Sequence, residues 1–118
     1  MRILIADDSD IVRRGIIGLL SYEPAWIVCG QAKDGSEAIQ KARELQPDVI
    51  LLDISMPGMS GLDAARRLRQ DLPKVKLLVI SQHDSSLMLP QVIEAGCNAC
   101  LEKTRLATDL VATIKNLK

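Results

Sequence analysis

The 118-residue sequence has no net charge, no long apolar run and only three cysteines. Fifteen basic residues balance fifteen acidic ones, so the chain lacks the positive field with which proteins bind nucleic acid or an anionic membrane. No stretch is long enough to span a bilayer, and the apolar run after Arg2 breaks at Asp7, too early for an export signal. An odd number of cysteines argues against a disulfide framework. We therefore expect a cytoplasmic protein that binds neither nucleic acid nor membrane directly.

Motifs of several other classes are also missing. No GxGxxG follows the first apolar run, so the sequence does not favour dinucleotide binding. Cys97 and Cys100 form one CxxC, but neither a second CxxC nor a nearby histidine completes a zinc site. We interpret the two cysteines as small buried residues, with redox chemistry as the alternative. The basic run that contains Arg66 and Arg69 shares a helix with leucines, which indicates a solvated stripe.

Apolar runs alternate five times with helical patterns, and the length is that of one domain, residues 1–118. Ser9 or Asp10, Asp34 and Ser60 stand where helix caps are expected, and Pro47 and Pro73 follow the last periodic residues of two helices. Right-handed crossovers then favour a doubly wound α/β fold with a five-stranded parallel sheet ordered 2-1-3-4-5 and five helices. The predicted strands cover 2–6, 26–32, 48–52, 76–81 and 98–101, and the first and last helices cover about 10–22 and 105–117.

Three aspartates stand where two of these strands end. Asp7 and Asp8 follow the first strand and Asp53 follows the third, and the predicted order makes those strands neighbours. Ser81 and Lys103 end the fourth and fifth strands at the same edge. Two ionised carboxylates about 5 Å apart repel by roughly 3 kcal/mol at an effective dielectric near 20, so a convergence of three calls for a cation. Oxygen-only ligands with open positions suit Mg²⁺.

The same residues carry a resemblance to a known family. Asp7-Asp8, Asp53 with the following segment Met56-Pro57-Gly58-Met59-Ser60-Gly61, Ser81 and Lys103 resemble the response-regulator receiver domain, whose fold is flavodoxin-like. The resemblance covers the whole chain. Further features resemble receivers of two-component transcription factors that carry a LuxR-type helix-turn-helix domain; they are Pro24-Ala25-Trp26, Gly30-Gln31-Ala32, Asp34-Gly35 and Gly61-Leu62-Asp63.

The resemblance implies a role for each site residue. Asp53 would be the phosphoacceptor, taking a phosphoryl group from a sensor histidine kinase, and the domain would be a signalling switch rather than an enzyme with a separate substrate. Asp8 and Asp53 would bind Mg²⁺ directly, Asp7 through water, and Ser55 through its backbone carbonyl. Lys103 would pair with a phosphoryl oxygen, and Ser81 would donate its hydroxyl to another. The implied partners are the kinase, a DNA-binding output domain outside this chain, and a second copy of the chain, the last left open.

The sequence departs from the family pattern at several positions. Receivers usually carry a switching aromatic ring three residues before the lysine, where this chain has Cys100; with no Phe and only Tyr22 and Trp26 as aromatic residues, no ring can replace it from the fifth strand. Pro90 falls within the fourth helix, near its first turn if that helix begins near Ser86. His83 follows Ser81 by two residues and is a candidate modulator of dephosphorylation.

Two other functions remain open on the sequence. A receiver-shaped interaction module that takes no phosphate would also explain the missing ring. The segment Asp8-Ser9-Asp10-Ile11-Val12 fits the nucleophile motif of haloacid-dehalogenase-type phosphatases, with Asp8 as nucleophile, although the chain has no room for their cap and no role there for Asp53.

Overall fold

Five strands and five helices alternate along the chain in the computed structural model, which describes residues 1–82 and 85–117. The strands form one parallel sheet in the order β2-β1-β3-β4-β5, as predicted. The elements are β1 (Arg2–Ala6), α1 (Asp10–Leu20), β2 (Ile27–Ala32), α2 (Gly35–Leu45), β3 (Val49–Asp53), α3 (Gly61–Asp71), β4 (Lys76–Ser81), α4 (Ser85–Glu94), β5 (Ala99–Glu102) and α5 (Leu106–Lys115).

The central strands are buried on both faces because helices cover the sheet on both sides. All five residues of β3 are buried. Ile50 and Leu52 pack into the core beneath α2 and α3, whereas Val49 and Leu51 pack into the core beneath α1 and α5. Period-two alternation along one apolar strand thus supplies two cores. Truncating a fully buried residue such as Leu51 to alanine typically costs about 2–5 kcal/mol.

Side-chain caps fix where three of the helices begin. Ser9 accepts a hydrogen bond from the amide of Val12 at 3.2 Å, so α1 starts directly after the two aspartates that follow β1. Asp34 caps α2 in the same way, at 2.8 Å from the Glu37 amide. Ser60 also caps α3 as the sequence predicted. Such caps satisfy amides that the helix leaves without partners.

The ends of the first and last helices differ from the prediction. α1 ends at Leu20 rather than near residue 22, and a 3-10 turn over Lys103–Arg105 precedes α5. The Leu106 amide bonds to the Lys103 carbonyl, which closes this turn. The tight turn places Lys103 at the point where β5 leaves the sheet. Pro90 is the sixth residue of α4, just beyond the first turn, and has no amide hydrogen to donate to the helix.

Arg69 was predicted to lie in a solvated stripe, and that interpretation is wrong. Its guanidinium donates to the Gly96 carbonyl at 3.0 Å, to the Pro73 carbonyl at 2.8 Å and to the Asn98 side chain at 3.0 Å. The side chain therefore joins the end of α3 to the segment between α4 and β5. Leucine periodicity located the helix correctly, but could not show that an arginine reaches carbonyls from a neighbouring segment. Within the described ranges no helix is long and apolar enough to cross a membrane.

Candidate functional site

Three carboxylates meet at the carboxyl-terminal edge of the sheet, between neighbouring strands β1 and β3. Asp53 is the last residue of β3, and Asp7 and Asp8 follow β1 directly. One oxygen from each carboxylate lies within 4.8 Å of the oxygens from the other two. Asp7 and Asp53 are each only 1% exposed, whereas Asp8 is open to solvent. The structure thus brings together the three acids that the sequence placed at these strand ends.

The electrostatics of the pocket disfavour a charged Asp53. Burial raises the pKa of its carboxyl group, and the nearby charge of Asp7 raises it further. Two contacts act in the opposite direction: the Ser55 amide donates to Asp53 Oδ1 at 3.2 Å, and Lys103 Nζ donates to Oδ2 at 3.3 Å. They do not outweigh burial and repulsion. The pocket is therefore short of positive charge.

Lys103 faces the pocket from the beginning of the 3-10 turn. Its ammonium lies 3.4 Å from Asp7 Oδ2 and 3.3 Å from Asp53 Oδ2, with the side chain 19% exposed. Burial alone would lower the pKa of this amine, but the charges of Asp53 and Asp7 outweigh it and raise the pKa. Lys103 consequently stays protonated and bridges two of the three acids.

Asp7 contributes a buried carboxylate oxygen that makes no hydrogen bond to the residues that the structure describes. Its Oδ1 accepts a hydrogen bond from the Ser9 amide at 2.8 Å. Its Oδ2 is buried and has no hydrogen-bond partner among the residues that the structure describes, apart from the ionic contact with Lys103. A buried carboxylate oxygen without a hydrogen bond is costly, and a bound cation or its water would satisfy it. The donor set, all oxygen and all acidic, fits a hard divalent ion such as Mg²⁺.

Ser81 lies at the same edge, one strand further along the sheet. It is the last residue of β4 and only 1% exposed. In the β3–β4 pairing Asp53 lies opposite Ile80, so Ser81 is the next residue beyond Asp53 toward the open edge. This register places Ser81 at the end of the strand next to the one that carries Asp53.

Gly61 shapes the loop that follows Asp53. Its amide donates to the Ile54 carbonyl at 2.8 Å, which brings the start of α3 back against the end of β3. A Cβ at this position would overlap the Asp53 carbonyl oxygen and the backbone of Ile54. Only glycine fits such a close approach between two backbone segments. The sequence singled out Gly61 as part of a motif; the structure supplies the reason for it.

The remaining predicted positions lie further from the acids or outside the described ranges. His83 falls outside the residues that the structure describes. Cys100 is half-buried in β5, opposite Val79, and burial followed by the charge of Glu102 raises the pKa of its thiol. Burial raises the pKa of the Cys97 thiol to about 11. All three cysteines are free thiols and only partly buried, and the raised pKa values make Cys97 and Cys100 poor nucleophiles, which disfavours the redox alternative.

Arg13 is a residue at this site that the sequence reasoning missed. It lies in the second turn of α1, and its guanidinium donates to the backbone carbonyl of Asp7 at 2.6 Å. The signal available in the sequence was its position one helical turn after Asp10, with which it also pairs at 3.2 Å. That spacing indicates a surface ion pair but does not reveal the contact with Asp7.

Comparisons with known proteins agree with this geometry. A family model described as the response regulator receiver domain matches residues 3–115. Response regulator GacA of Pseudomonas viridiflava is 36% identical over 115 residues, covering 98% of this chain and 54% of that protein. Transcriptional regulatory protein LiaR of Bacillus subtilis (strain 168) is 37% identical with the same coverage of both proteins, 98% and 54%. A two-component response regulator of the LuxR family from Aurantimonas sp. SI85-9A1 has a TM-score of 0.91 and 32% identity, over 97% of this chain and 81% of that one.

A doubly wound sheet in the order 2-1-3-4-5 defines a flavodoxin-like domain, and its acidic pocket, faced by a lysine, lies at the switch point where such folds bind ligands. The chain belongs to the response regulator receiver domain family. The LuxR-family neighbour and relatives such as LiaR confirm the narrower resemblance to receivers of LuxR-type regulators. The chain spans about half the length of the curated relatives it matches.

Proposed function

We propose that this domain accepts a phosphoryl group on Asp53 from a histidine kinase, in a reaction that requires Mg²⁺. The observation that carries the proposal is the meeting of three carboxylates within 4.8 Å of one another, with the ammonium of Lys103 3.3 Å from the acceptor carboxylate. Such a pocket combines a nucleophilic oxygen with an ammonium group, and with acids that can hold a cation, so that the charge of an incoming phosphoryl group can be neutralised. Family membership supports the assignment.

The transfer itself needs little covalent chemistry from the protein. An oxygen of Asp53 attacks the phosphorus in line with the phosphorus–nitrogen bond of the kinase phosphohistidine. That bond breaks, the imidazole nitrogen keeps the electron pair and takes up a proton, and an acyl phosphate forms on Asp53. Water later cleaves the acyl phosphate, which restores the carboxylate and releases inorganic phosphate.

Mg²⁺, when bound, supplies the positive charge that lets an anionic nucleophile and an anionic phosphoryl group approach each other. Asp8, Asp53 and the Ser55 carbonyl would hold it directly, and Asp7 through water. The Ser55 amide keeps the Asp53 carboxylate oriented by its hydrogen bond to Oδ1. Lys103 would neutralise a further part of the charge from the position in which its contacts with Asp7 and Asp53 hold it.

The proposed conformational switch involves Ser81, at the same edge of the sheet as Asp53. The Ser81 hydroxyl would donate to a phosphoryl oxygen on Asp53, drawing the end of β4 toward the pocket. Cys100 occupies the position where relatives carry a switching ring, so movement of the backbone itself would carry the signal to the exposed face. His83 is proposed to influence the lifetime of the phosphoryl group.

The proposed context is a two-component pathway in the cytoplasm. The partners are a sensor histidine kinase and a DNA-binding output domain, as the matched relatives are transcriptional regulators by name. A second copy of the chain is a further partner. The domain acts as a signalling switch whose only chemistry is its own phosphorylation and dephosphorylation.

The test is incubation of the purified domain with acetyl phosphate, followed by intact-mass measurement with Mg²⁺ or with excess chelator. We expect one added phosphoryl group in Mg²⁺, none in chelator and none in Asp53→Asn. Asp63→Asn is the matched control because it removes an exposed carboxylate outside the pocket, and it should be labelled like the wild type.

Each alternative gives a different result. Absence of labelling in Mg²⁺, with the domain folded, would support a receiver-shaped module that takes no phosphate. Labelling that persists in Asp53→Asn and disappears in Asp8→Asn would support an Asp8 nucleophile of the haloacid-dehalogenase type, although family membership leaves that alternative without support.

A further inference from the structure

The side chain of Arg13 joins three segments that surround the acidic pocket. Its Nη1 donates to the backbone carbonyl of Asp7 at 2.6 Å, its Nε to Gln31 Oε1 at 3.0 Å, and its Nη2 to Asp10 Oδ1 at 3.2 Å. These acceptors belong to the loop after β1, to β2 and to the start of α1. The side chain is only 14% exposed. A guanidinium suits this place because it is planar and carries five donors in a fixed fork.

The contact with Asp7 bears directly on the acidic residues. The Asp7 amide donates to the Ala32 carbonyl at 3.0 Å, and its carbonyl accepts from Arg13, so both peptide groups of Asp7 are held. The Asp7 carbonyl lies in the same planar peptide unit as the Asp8 nitrogen. Holding that carbonyl therefore sets the plane from which the Asp8 side chain leaves the backbone. This matters most for Asp8, which is exposed and has little packing of its own to orient it.

The second partner of Arg13 is carried by a strand of the sheet. Gln31 lies in β2 opposite Ile5 of β1, and its backbone carbonyl accepts a hydrogen bond from Lys41. The Arg13 Nε–Gln31 Oε1 hydrogen bond is made to an exposed side chain, but the backbone that carries this side chain is held in the sheet. A ligand-bearing loop held in this way loses less freedom when a cation binds.

We propose that Arg13 is a positioning residue of the cation site: through the Asp7 carbonyl it fixes the Asp7–Asp8 peptide so that both carboxylates face the ion. The inference rests on the proposed Mg²⁺-dependent function. Arg13 touches neither the ion nor the phosphoryl group in this arrangement. Its effect is on how readily the two acids reach a common centre.

Arg14 provides a matched control on the same helix. It also pairs with Asp10, through Nε at 3.0 Å, but its side chain is 78% exposed. The hydrogen bonds to Asp7 and Gln31 belong to Arg13. Arg13→Gln and Arg14→Gln therefore remove the same charge and the same ion-pair partner from neighbouring positions. They differ in the contacts with Asp7 and Gln31.

The experiment measures Mg²⁺ binding by calorimetry and Mn²⁺ binding by electron paramagnetic resonance, for the wild type and both variants. Loss of an outer partner of metal ligands typically weakens affinity by about tenfold or more, and we expect that loss for Arg13→Gln. Arg14→Gln should stay within about twofold, because exposed ion pairs contribute little. Arg13→Lys, which keeps the charge but not the fork, should recover only part of the affinity.

Urea unfolding in chelator separates positioning from a general structural role. A merely structural arginine would lower stability while leaving the cation affinity of the folded protein unchanged. If Arg13→Gln does not fold, Gln31→Ala removes the second partner and should produce a smaller loss of affinity in the same direction. Wild-type affinity in folded Arg13→Gln, or in Gln31→Ala when that variant replaces it, would overturn the inference and leave the site standing. Failure of the wild type to bind either ion would overturn the proposed site and this inference with it.

Discussion

Replacing Asp53 by asparagine should stabilise the domain when no divalent cation is present. The side chain keeps its shape, and its amide oxygen can still accept from the Ser55 amide. What disappears is a buried charge whose carboxylate lies within 4.8 Å of two others. Each such pair of charges costs about 3 kcal/mol at an effective dielectric of 20, and the attraction to Lys103 offsets roughly one pair.

The pKa of Asp53 determines whether the substitution raises or lowers the free energy of unfolding. Burial and the charge of Asp7 raise this pKa despite the contact with Lys103. Above its ordinary pKa the folded state therefore has to hold a carboxylate that it disfavours, and the substitution removes that cost. Because Asp8 is exposed and its repulsion is screened by water, we expect a net gain of about 1–2 kcal/mol. For a domain of this size the gain corresponds to a rise in Tm of roughly 3–8 °C.

The assay is thermal unfolding of wild type, Asp53→Asn and Asp63→Asn in chelator and in Mg²⁺, at neutral pH and near pH 3.5. The advantage of Asp53→Asn should be full at neutral pH and shrink near pH 3.5, where the wild-type carboxyl group is protonated in the folded state, because its pKa is raised, and mostly protonated in the unfolded state. Mg²⁺ should stabilise the wild type by about 2.7 kcal/mol at one hundred times its dissociation constant, which exceeds the expected advantage of Asp53→Asn and so reverses the order. If Asp53→Asn in chelator is no more stable than Asp63→Asn, the pocket does not carry the predicted charge repulsion.

Three further predictions concern Gly61, Lys103 and Cys97. Gly61→Ala should destabilise the domain by about 3 kcal/mol, because the added Cβ overlaps the Asp53 carbonyl. Gly18→Ala is the control: it has open space around it in α1 and should stabilise the domain by about 0.5–1 kcal/mol. Equal stabilities of the two variants in urea unfolding would contradict this. Lys103→Met should cost about 3 kcal/mol in chelator, and adding Asp53→Asn should restore part of that loss; additive effects in a double-mutant cycle would refute their coupling. Cys97 should react with a thiol reagent much more slowly than a free thiol at neutral pH, and faster as the pH approaches 11, because burial raises its pKa. Peptide mass spectrometry follows the reaction, and rapid labelling of the folded protein near pH 7 would contradict the raised pKa.

Much of the fold could be predicted because local signals and topology rules agree. The wholly apolar run ending at Asp53 marks a strand covered on both faces, and Ser9, Asp34 and Ser60 cap helices where the sequence placed them. The order of the strands follows from right-handed crossovers and places Asp7 beside Asp53. The acidic cluster was therefore accessible from spacing together with topology.

Contacts made by long side chains and by backbone approach could not be predicted in this way. The sequence pattern places Arg13 and Arg69 on the surfaces of helices. In the structure each donates to a backbone carbonyl of a neighbouring segment, whose position depends on the packed fold. The 3-10 turn that carries Lys103 begins where β5 ends, and it has no side-chain cap that could have indicated it in the sequence. The need for glycine at position 61 depends on how closely α3 returns to β3. Each of these depends on tertiary geometry, which periodicity does not encode.

Identification of the residue that carries the phosphoryl group tests the central claim most directly. The domain, phosphorylated by acetyl phosphate in Mg²⁺, is reduced with borohydride, which converts an aspartyl phosphate to homoserine, and the altered residue is located by peptide mass spectrometry. We predict homoserine at position 53 alone, and none when chelator replaces Mg²⁺. Homoserine at position 7 or 8, or its absence from a folded domain supplied with Mg²⁺ and phosphodonor, would contradict the assignment of Asp53 as the phosphoacceptor.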